Sequence, residues 1–315
     1  MTTRRHALQT LGAAGLWGLL PQLAGAAATD EPVRLILQGT KGGPSVRSVK
    51  QLPSSNALLI GDDIYLVDAG YGATYRLIEE KLKLKNLRGI FITHNHSDHN
   101  IELGPTVYNA WTNALNHAID VFGPEGTDAL MKAYLESERF DLETRIEDEG
   151  RPDLRKLVHT HVYHAGVVTE NEHFKVSALR NHHPPITESY ALKFELKNGK
   201  TIVFSGDTSY FPPLAEFARN VDYLVHEAMY LPALKKLVQR APNAQTLMKH
   251  LLAAHTSTGD VGRIAAAANV KNVVLTHFVP GAFPSVTDED WRRGVREHYS
   301  GNVIVGHDML EISIS

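Results

Sequence analysis

Thr93-His94-Asn95-His96-Ser97-Asp98-His99-Asn100 (THNHSDHN, residues 93–100) places three histidines and an aspartate within six positions. The run before it, Gly89-Ile-Phe-Ile-Thr93, is apolar and short, as expected of a strand buried on both faces. The cluster therefore begins where a core strand ends, the place where α/β proteins collect ligands. Imidazole and carboxylate suit zinc, and alternate residues of an extended segment can turn His94 and His96 towards one ion. Asp98 and His99 can then face a second ion beside it.

The rest of the chain repeats this grammar. Asn56–Ile60 and Ile64–Val67 flank Gly61-Asp62-Asp63 as a hairpin, and Tyr75–Lys83 has helical spacing. Phe174–Leu179 reads as a strand leading to Asn181-His182-His183. Tyr190–Leu196 and Thr201–Phe204 flank the turn Asn198-Gly199 and run into Ser205-Gly206-Asp207. Tyr223–Val225 ends at His226-Glu227, and Val273–Leu275 ends at Thr276-His277. Ser257–Asp260 resembles a capping box opening a helix over Val261–Ala268. Between Trp111 and Asp148 the pattern is mainly helical, broken at Phe122–Gly126. Several buried strands thus each deliver a His or an Asp at one end.

Composition limits the chemistry. The 315 residues include 43% hydrophobic and 21% charged ones, a globular balance with length for a large core. There is no cysteine, so any metal is held by nitrogen and oxygen. A formal charge of −3 gives no reason to expect a nucleic-acid backbone as partner. Residues 1–28 read as an export signal: Arg4-Arg5, then no charge until Asp30, with small residues around Ala24-Gly25-Ala26. The paired arginines resemble a twin-arginine signal, which implies a periplasmic or secreted protein. An uncleaved anchor is disfavoured because the apolar run is short and glycine-rich. One domain over 29–315 is the simplest division.

These motifs resemble the metallo-β-lactamase superfamily, in its ribonuclease Z and arylsulfatase branch. The resemblance spans nearly all of residues 32–315. It rests on Val67-Asp68-Ala69-Gly70, the Thr93–His99 cluster, Ser205–Thr208, His226-Glu227-Ala228, His255-Thr256-Ser257, Leu275–Phe278 and Asp308-Met309. It implies an α/β fold, a four-layer αβ/βα sandwich. It implies two Zn2+ per chain, with Mn2+ or Fe2+ as alternatives. His94, His96 and His183 would hold one ion; Asp98, His99 and His277 would hold the other; Asp207 would bridge. The nucleophile would be a hydroxide shared by the ions and oriented by Asp98, with His255 and Glu227 as the proton-donor pair. His183 fits better than His182, whose bland reading is a solvent-facing neighbour. Asp68 reads as a structural acceptor and His226 as structural.

Other residues carry less weight. His159, His161 and His164 lack a matching carboxylate in sequence and read as a solvated strand face. His117, His173, His250 and His298 read as surface residues. Trp111, Tyr134 and Phe140 are read either as core or as a wall over the pocket.

The expected substrate is a small ester (an aryl sulfate, a phosphodiester, a cyclic nucleotide, a lactone or a carboxylester), with the sulfate or phosphodiester group favoured and a β-lactam less so. Nucleic acid is not expected. Only Pro184–Gly206 separates His183 from Asp207, where ribonuclease Z has a substrate arm, and Met229 stands where that pattern has threonine. No stable membrane association after signal removal is expected, and the branch implies a homodimer. Two other classes remain: a metal- or ligand-binding protein without turnover, which a missing ligand would favour, and an iron oxidoreductase, against which His96 argues.

Overall fold

The computed structural model describes residues 31–239, 242–283 and 285–314, so the leader 1–28 lies outside the described residues. Six strands follow one another in the first sheet: β1 (Val33–Gly39), β2 (Ser55–Ile60), β3 (Asp63–Ala69), β4 (Leu87–Phe91), β5 (Ile119–Gly123) and β6 (Val158–Val162). The second holds β7 (Gly166–Glu170), β8 (Phe174–Arg180), β9 (Tyr190–Leu196), β10 (Thr201–Phe204), β11 (Tyr223–Met229), β12 (Asn272–Val279) and β13 (Asn302–Val305). The last strand, β14 (Leu310–Ser313), returns to pair with β1, giving seven strands in each sheet. In both sheets an antiparallel meander hands over to parallel strands: β3 to β6 in one, β10 to β13 in the other.

Alternation along the strands sets the layers. Leu35, Leu58, Val67, Phe91, Phe174, Phe194, Val225 and Val274 meet between the sheets. Their neighbours Ile36, Leu59, Leu66 and Ile90 face outward onto α1 (Ala73–Glu79), α3 (Leu103–Thr112), α4 (Thr127–Ser137) and α5 (Arg139–Glu149). A one-turn α2 (Ser97–Asn100) precedes α3, and a short α6 (Leu154–Leu157) precedes β6. On the far side Val203, Leu224, Val273 and Val303 pack on α7 (Pro213–Phe217), α10 (Thr258–Ala268) and α11 (Asp288–Arg296). The helix–sheet–sheet–helix order is the four-layer sandwich expected. A separate cluster of Met229, Leu234, Val238 and Val279 joins α8 (Leu231–Val238) and α9 (Ala244–Ala254) to the ends of β11 and β12.

Three local expectations change. The helical reading of 111–148 hid β5, a five-residue strand that pairs in parallel with β4 and β6. Such a strand is too short to outvote the helical pattern on either side. The helix at 261–268 starts at Thr258, because the Ser257 side chain accepts from the Asp260 N–H. His173 is not a surface residue: its ring bonds Asp63 and packs edge-on against Tyr65.

Candidate metal centre

The parallel strands open their C-terminal ends to one point. β4 leads through Ile92 and a bend at Thr93-His94 to the extended His96, then into α2, whose helical turn points the adjacent Asp98 and His99 in different directions. β8 leads to His183, β10 to Asp207, β11 carries Glu227, and β12 carries His277.

Two β-bulges aim the side chains that strict alternation would misdirect. Along β12, Leu275 and Phe278 both face the helix-side core, three residues apart. The break falls at His277, which is unpaired between Glu227↔Thr276 and Ala228↔Phe278 and has φ 43°. Along β3, Leu66 and Ala69 share one core in the same way. Here the extra residue is Asp68, with φ 65°, opposite the Ser55/Asn56 step. Bulges of this kind turn one side chain out of register, and backbone in this region is held only where function or packing demands it.

Seven candidate donors converge into two sets, His94–His96–His183–Asp207 and Asp98–His99–His277–Asp207, with Asp207 in both. Nε2 of His94 and Nε2 of His183 lie 3.0 and 3.1 Å from Nδ1 of His96. In the second set, His277 Nε2 is 3.3 Å from Asp207 Oδ2, and His99 Nε2 is 3.4 Å from Asp207 Oδ1. Asp98 Oδ2 lies 3.4 and 3.7 Å from the same two nitrogens. Tetrahedral ligands at the usual zinc–nitrogen distance are about 3.3 Å apart, so the spacings suit an ion at each centre.

Outer hydrogen bonds turn the inner nitrogens of His183, His99 and His94 towards the centre. His183 Nδ1 donates to the Ala254 carbonyl (2.8 Å), and His99 Nδ1 donates to Asp68 (2.7 Å). Thr93 Oγ1 donates to Asp68 and accepts from His94 Nδ1. Asp68 therefore orients two histidines from behind, the acceptor role expected of it. Within the centre, the buried Asp207 Oδ1 has no hydrogen-bond donor. Buried polar atoms left in this state fit cations better than protons. Burial, reinforced by His99, holds the His94 imidazole well below its ordinary pKa, and burial brings His183 to about 4. Burial opposes charge on Asp207, yet the imidazoles of His277 and His99 hold its carboxyl well below the usual range.

His255 stands beside both sets, its ring 5.4 Å from that of His183 and 5.6 Å from that of His277. Its Nδ1 is 3.0 Å from Glu227 Oε2. Burial disfavours charge on this ring, but the Glu227 carboxylate outweighs it and holds the pKa up at about 9. His226, equally buried without a carboxylate partner, falls to about 4. It does not reach the donor sets.

A cavity of about 320 Å³ opens over the centre, lined by His96, Asp98, His183, Asp207 and His255. Two walls of it were not legible in the sequence. Gly42, Gly43 and Pro44 come from the β1–β2 loop, where the Gly43 N–H donates to Asp98 (2.8 Å). A side chain at Gly42 would meet the His277 ring at 3.0 Å, so glycine lets this loop close on the centre. Asp308 anchors both ends of the loop, accepting from Thr40 and Leu52, and pairs with Arg76 at 3.0 Å. The other wall is α9, through Leu247, His250 and Leu251. His250, expected at the surface, is thus a pocket residue; its i, i+3 relation to Leu247 was the available signal.

The remaining expectations resolve plainly. His182 is exposed, Trp111 is core, Phe140 is exposed, and Tyr134 packs on Gly104, away from the pocket. His159 and His161 do lie on an exposed strand face, but Asp120 of β5 supplies the carboxylate the sequence hid, 2.7 Å from His161.

A family model described as Anti-Pycsar protein Apyc1 matches residues 34–239, about two thirds of the chain. The chain belongs to that family. It is also 27% identical over 287 residues to ribonuclease Z of Mycobacterium bovis, covering 90% of this chain and 98% of that one. The metallo-β-lactamase fold protein YhfI of Bacillus subtilis superposes with a TM-score of 0.67 at 20% identity, over 90% and 99% of the two chains. The short form of human tRNase Z gives 0.64 at 20%, again over 90% and 99%. The chain is thus a metal-dependent hydrolase of the metallo-β-lactamase superfamily, in its ribonuclease Z branch. One expectation is overturned. Ribonuclease Z is named for action on RNA, and its likeness along nearly the whole of both chains removes the ground for a small-ester partner that excludes nucleic acid. The short His183–Asp207 interval and the overall negative charge were insufficient reasons, since neither describes the surface around the pocket.

Proposed function

We propose that the chain is a dinuclear phosphodiesterase that hydrolyses RNA phosphodiesters, with zinc as its metal. The observation that carries this reading is the placement of Asp207 in both donor sets, with the His255–Glu227 pair beside them. His94, His96 and His183 would hold one ion, and Asp98, His99 and His277 the other. With no thiolate in the chain, the nitrogen and oxygen set suits zinc. When bound, the ions supply a water activated near neutral pH and polarise a phosphoryl oxygen.

The chain's own residues do the rest. The Asp98 carboxylate, held by the Gly43 N–H, orients the attacking water in the cavity. His255 delivers a proton to the departing oxygen. Its Nδ1–H is engaged by Glu227, so Nε2 carries the transferable proton. An alkoxide leaving group needs that proton, as an RNA ribose oxygen does. The preference for a phosphodiester over an aryl sulfate follows from the ribonuclease Z relatives.

The test is a panel of bis(p-nitrophenyl) phosphate, single-stranded RNA and an aryl sulfate, offered to zinc-loaded protein with and without chelator. Chelator-sensitive cleavage of both diesters is expected. Cleavage of the sulfate alone would sink the proposal.

A further inference from the structure

The two walls of the metal cavity share an electrical property that the net charge conceals. The chain carries more acids than bases, 35 against 32. Yet residues 32–61 contain no Asp or Glu, and neither do residues 228–259. The first stretch supplies Gly42–Pro44 to the cavity, and the second supplies Leu247, His250 and Leu251. Both are basic. Arg47 and Lys50 are exposed on the β1–β2 loop, and Lys235, Lys236 and Lys249 are exposed on the α8–α9 hairpin.

We propose that the β1–β2 loop and the α8–α9 hairpin are two basic jaws that grip a single-stranded RNA backbone across the metal cavity. This rests on the phosphodiesterase reading and adds where a polymeric substrate is held. A single diester group needs only the cavity, which the ions and His255 serve. Lys50 lines a neighbouring cavity with Asp288 and Asp308, but Arg47, Lys235, Lys236 and Lys249 are four exposed cations on segments with no carboxylate of their own, which matches a ligand carrying a phosphate at every residue. The hairpin is built to present them. Its apolar side is spent on Leu234, Val238, Leu247 and Leu251, which pack with Met229 and Val279. Lys249 sits next to His250 on α9, within one turn of the cavity-lining residues. The hairpin leaves the end of β11 at Met229, two residues after Glu227, and re-enters the site at His255, so the jaw is tethered near both ends to the proton-donor pair.

The experiment measures binding of a fluorescein-labelled, uncleavable 2′-O-methyl RNA of about twelve nucleotides to the full metal-loaded chain, by anisotropy across a salt series. A Lys235→Gln/Lys236→Gln/Lys249→Gln variant removes three charges from the jaw. The slope of log K against log salt should fall by about 2, and affinity at low salt should weaken about tenfold or more. Turnover of bis(p-nitrophenyl) phosphate should stay within about twofold. Lys81→Gln/Lys83→Gln/Lys85→Gln removes the same charge from exposed positions that do not line the cavity and should leave RNA affinity unchanged. An unchanged slope in the jaw variant, or equal weakening in the control, overturns the proposal. So does a wild-type protein that hydrolyses the small diester but binds no RNA, an outcome that leaves diester hydrolysis standing. Failure on both substrates overturns the phosphodiesterase reading itself.

Discussion

Glu227→Gln is the most informative single change in the proton-donor pair. Glutamine keeps the side chain's shape and an acceptor for the His255 Nδ1–H, but removes the negative charge that holds this imidazole at about 9. The protein contains its own reference: His226, buried with no carboxylate partner, sits at about 4. Without Glu227, His255 loses the strongest influence raising it, Asp207 and Asp98 remain as weaker ones, and burial draws the ring down towards or below the ordinary imidazole value of about 6.5. Each pKa unit corresponds to about 1.4 kcal/mol, so the fall from about 9 removes more than about 3 kcal/mol of preference for the charged ring. The sign is definite: a raised pKa keeps the acid protonated into the alkaline range, and losing the carboxylate brings deprotonation to lower pH. With a pKa at or below about 6.5, at most about 3% of His255 is protonated at pH 8, and kcat/KM there falls about 30-fold or more. The assay is a pH profile of kcat/KM on bis(p-nitrophenyl) phosphate from pH 6 to 10, with metal content measured on the same samples. The alkaline limb should move down by about two units at unchanged metal content. A limb that stays in place, with both metal sites filled, would refute the assignment of His255 as the acid held by Glu227.

Other consequences are as direct. Asp68→Ala removes the acceptor behind His99 and Thr93, so metal affinity should weaken about 10- to 100-fold in chelator competition; unaltered affinity would deny Asp68 its orienting part. Gly206 has φ 57°, and a Cβ there would sit 2.5 Å from the Tyr190 carbonyl oxygen, so Gly206→Ala should cost about 1–3 kcal/mol in denaturant unfolding. A loss under about 0.5 kcal/mol would show that the strand end relaxes freely. The leader reading predicts that Arg4→Lys/Arg5→Lys keeps the precursor in the cytoplasm on fractionation, whereas an unchanged distribution would count against twin-arginine export.

The sequence revealed the donors more readily than their aim. Strand ends at Thr93, Asp207 and His277 were legible because a buried strand writes its apolar run into a few residues. The bulges at Asp68 and His277 were not, since one unpaired residue leaves no periodic trace and its left-handed backbone is open to any residue type at a cost. Asp120 and His161 meet across β5 and β6, 41 positions apart, a pairing no local spacing encodes. His250 was misread because its neighbours Lys249 and Leu252 are exposed, and a helix turning one face to a cavity resembles one turning it to solvent. The charge argument failed for a related reason: a chain-wide sum hides two acid-free segments that meet only in the fold.

The central claim is a pair of ions sharing Asp207, and metal counting on the purified protein tests it most directly. Wild-type protein should hold close to two ions per chain by elemental analysis, while Asp207→Ala should hold one or none and lose diester hydrolysis. Two ions retained in Asp207→Ala, with turnover preserved, would contradict the account.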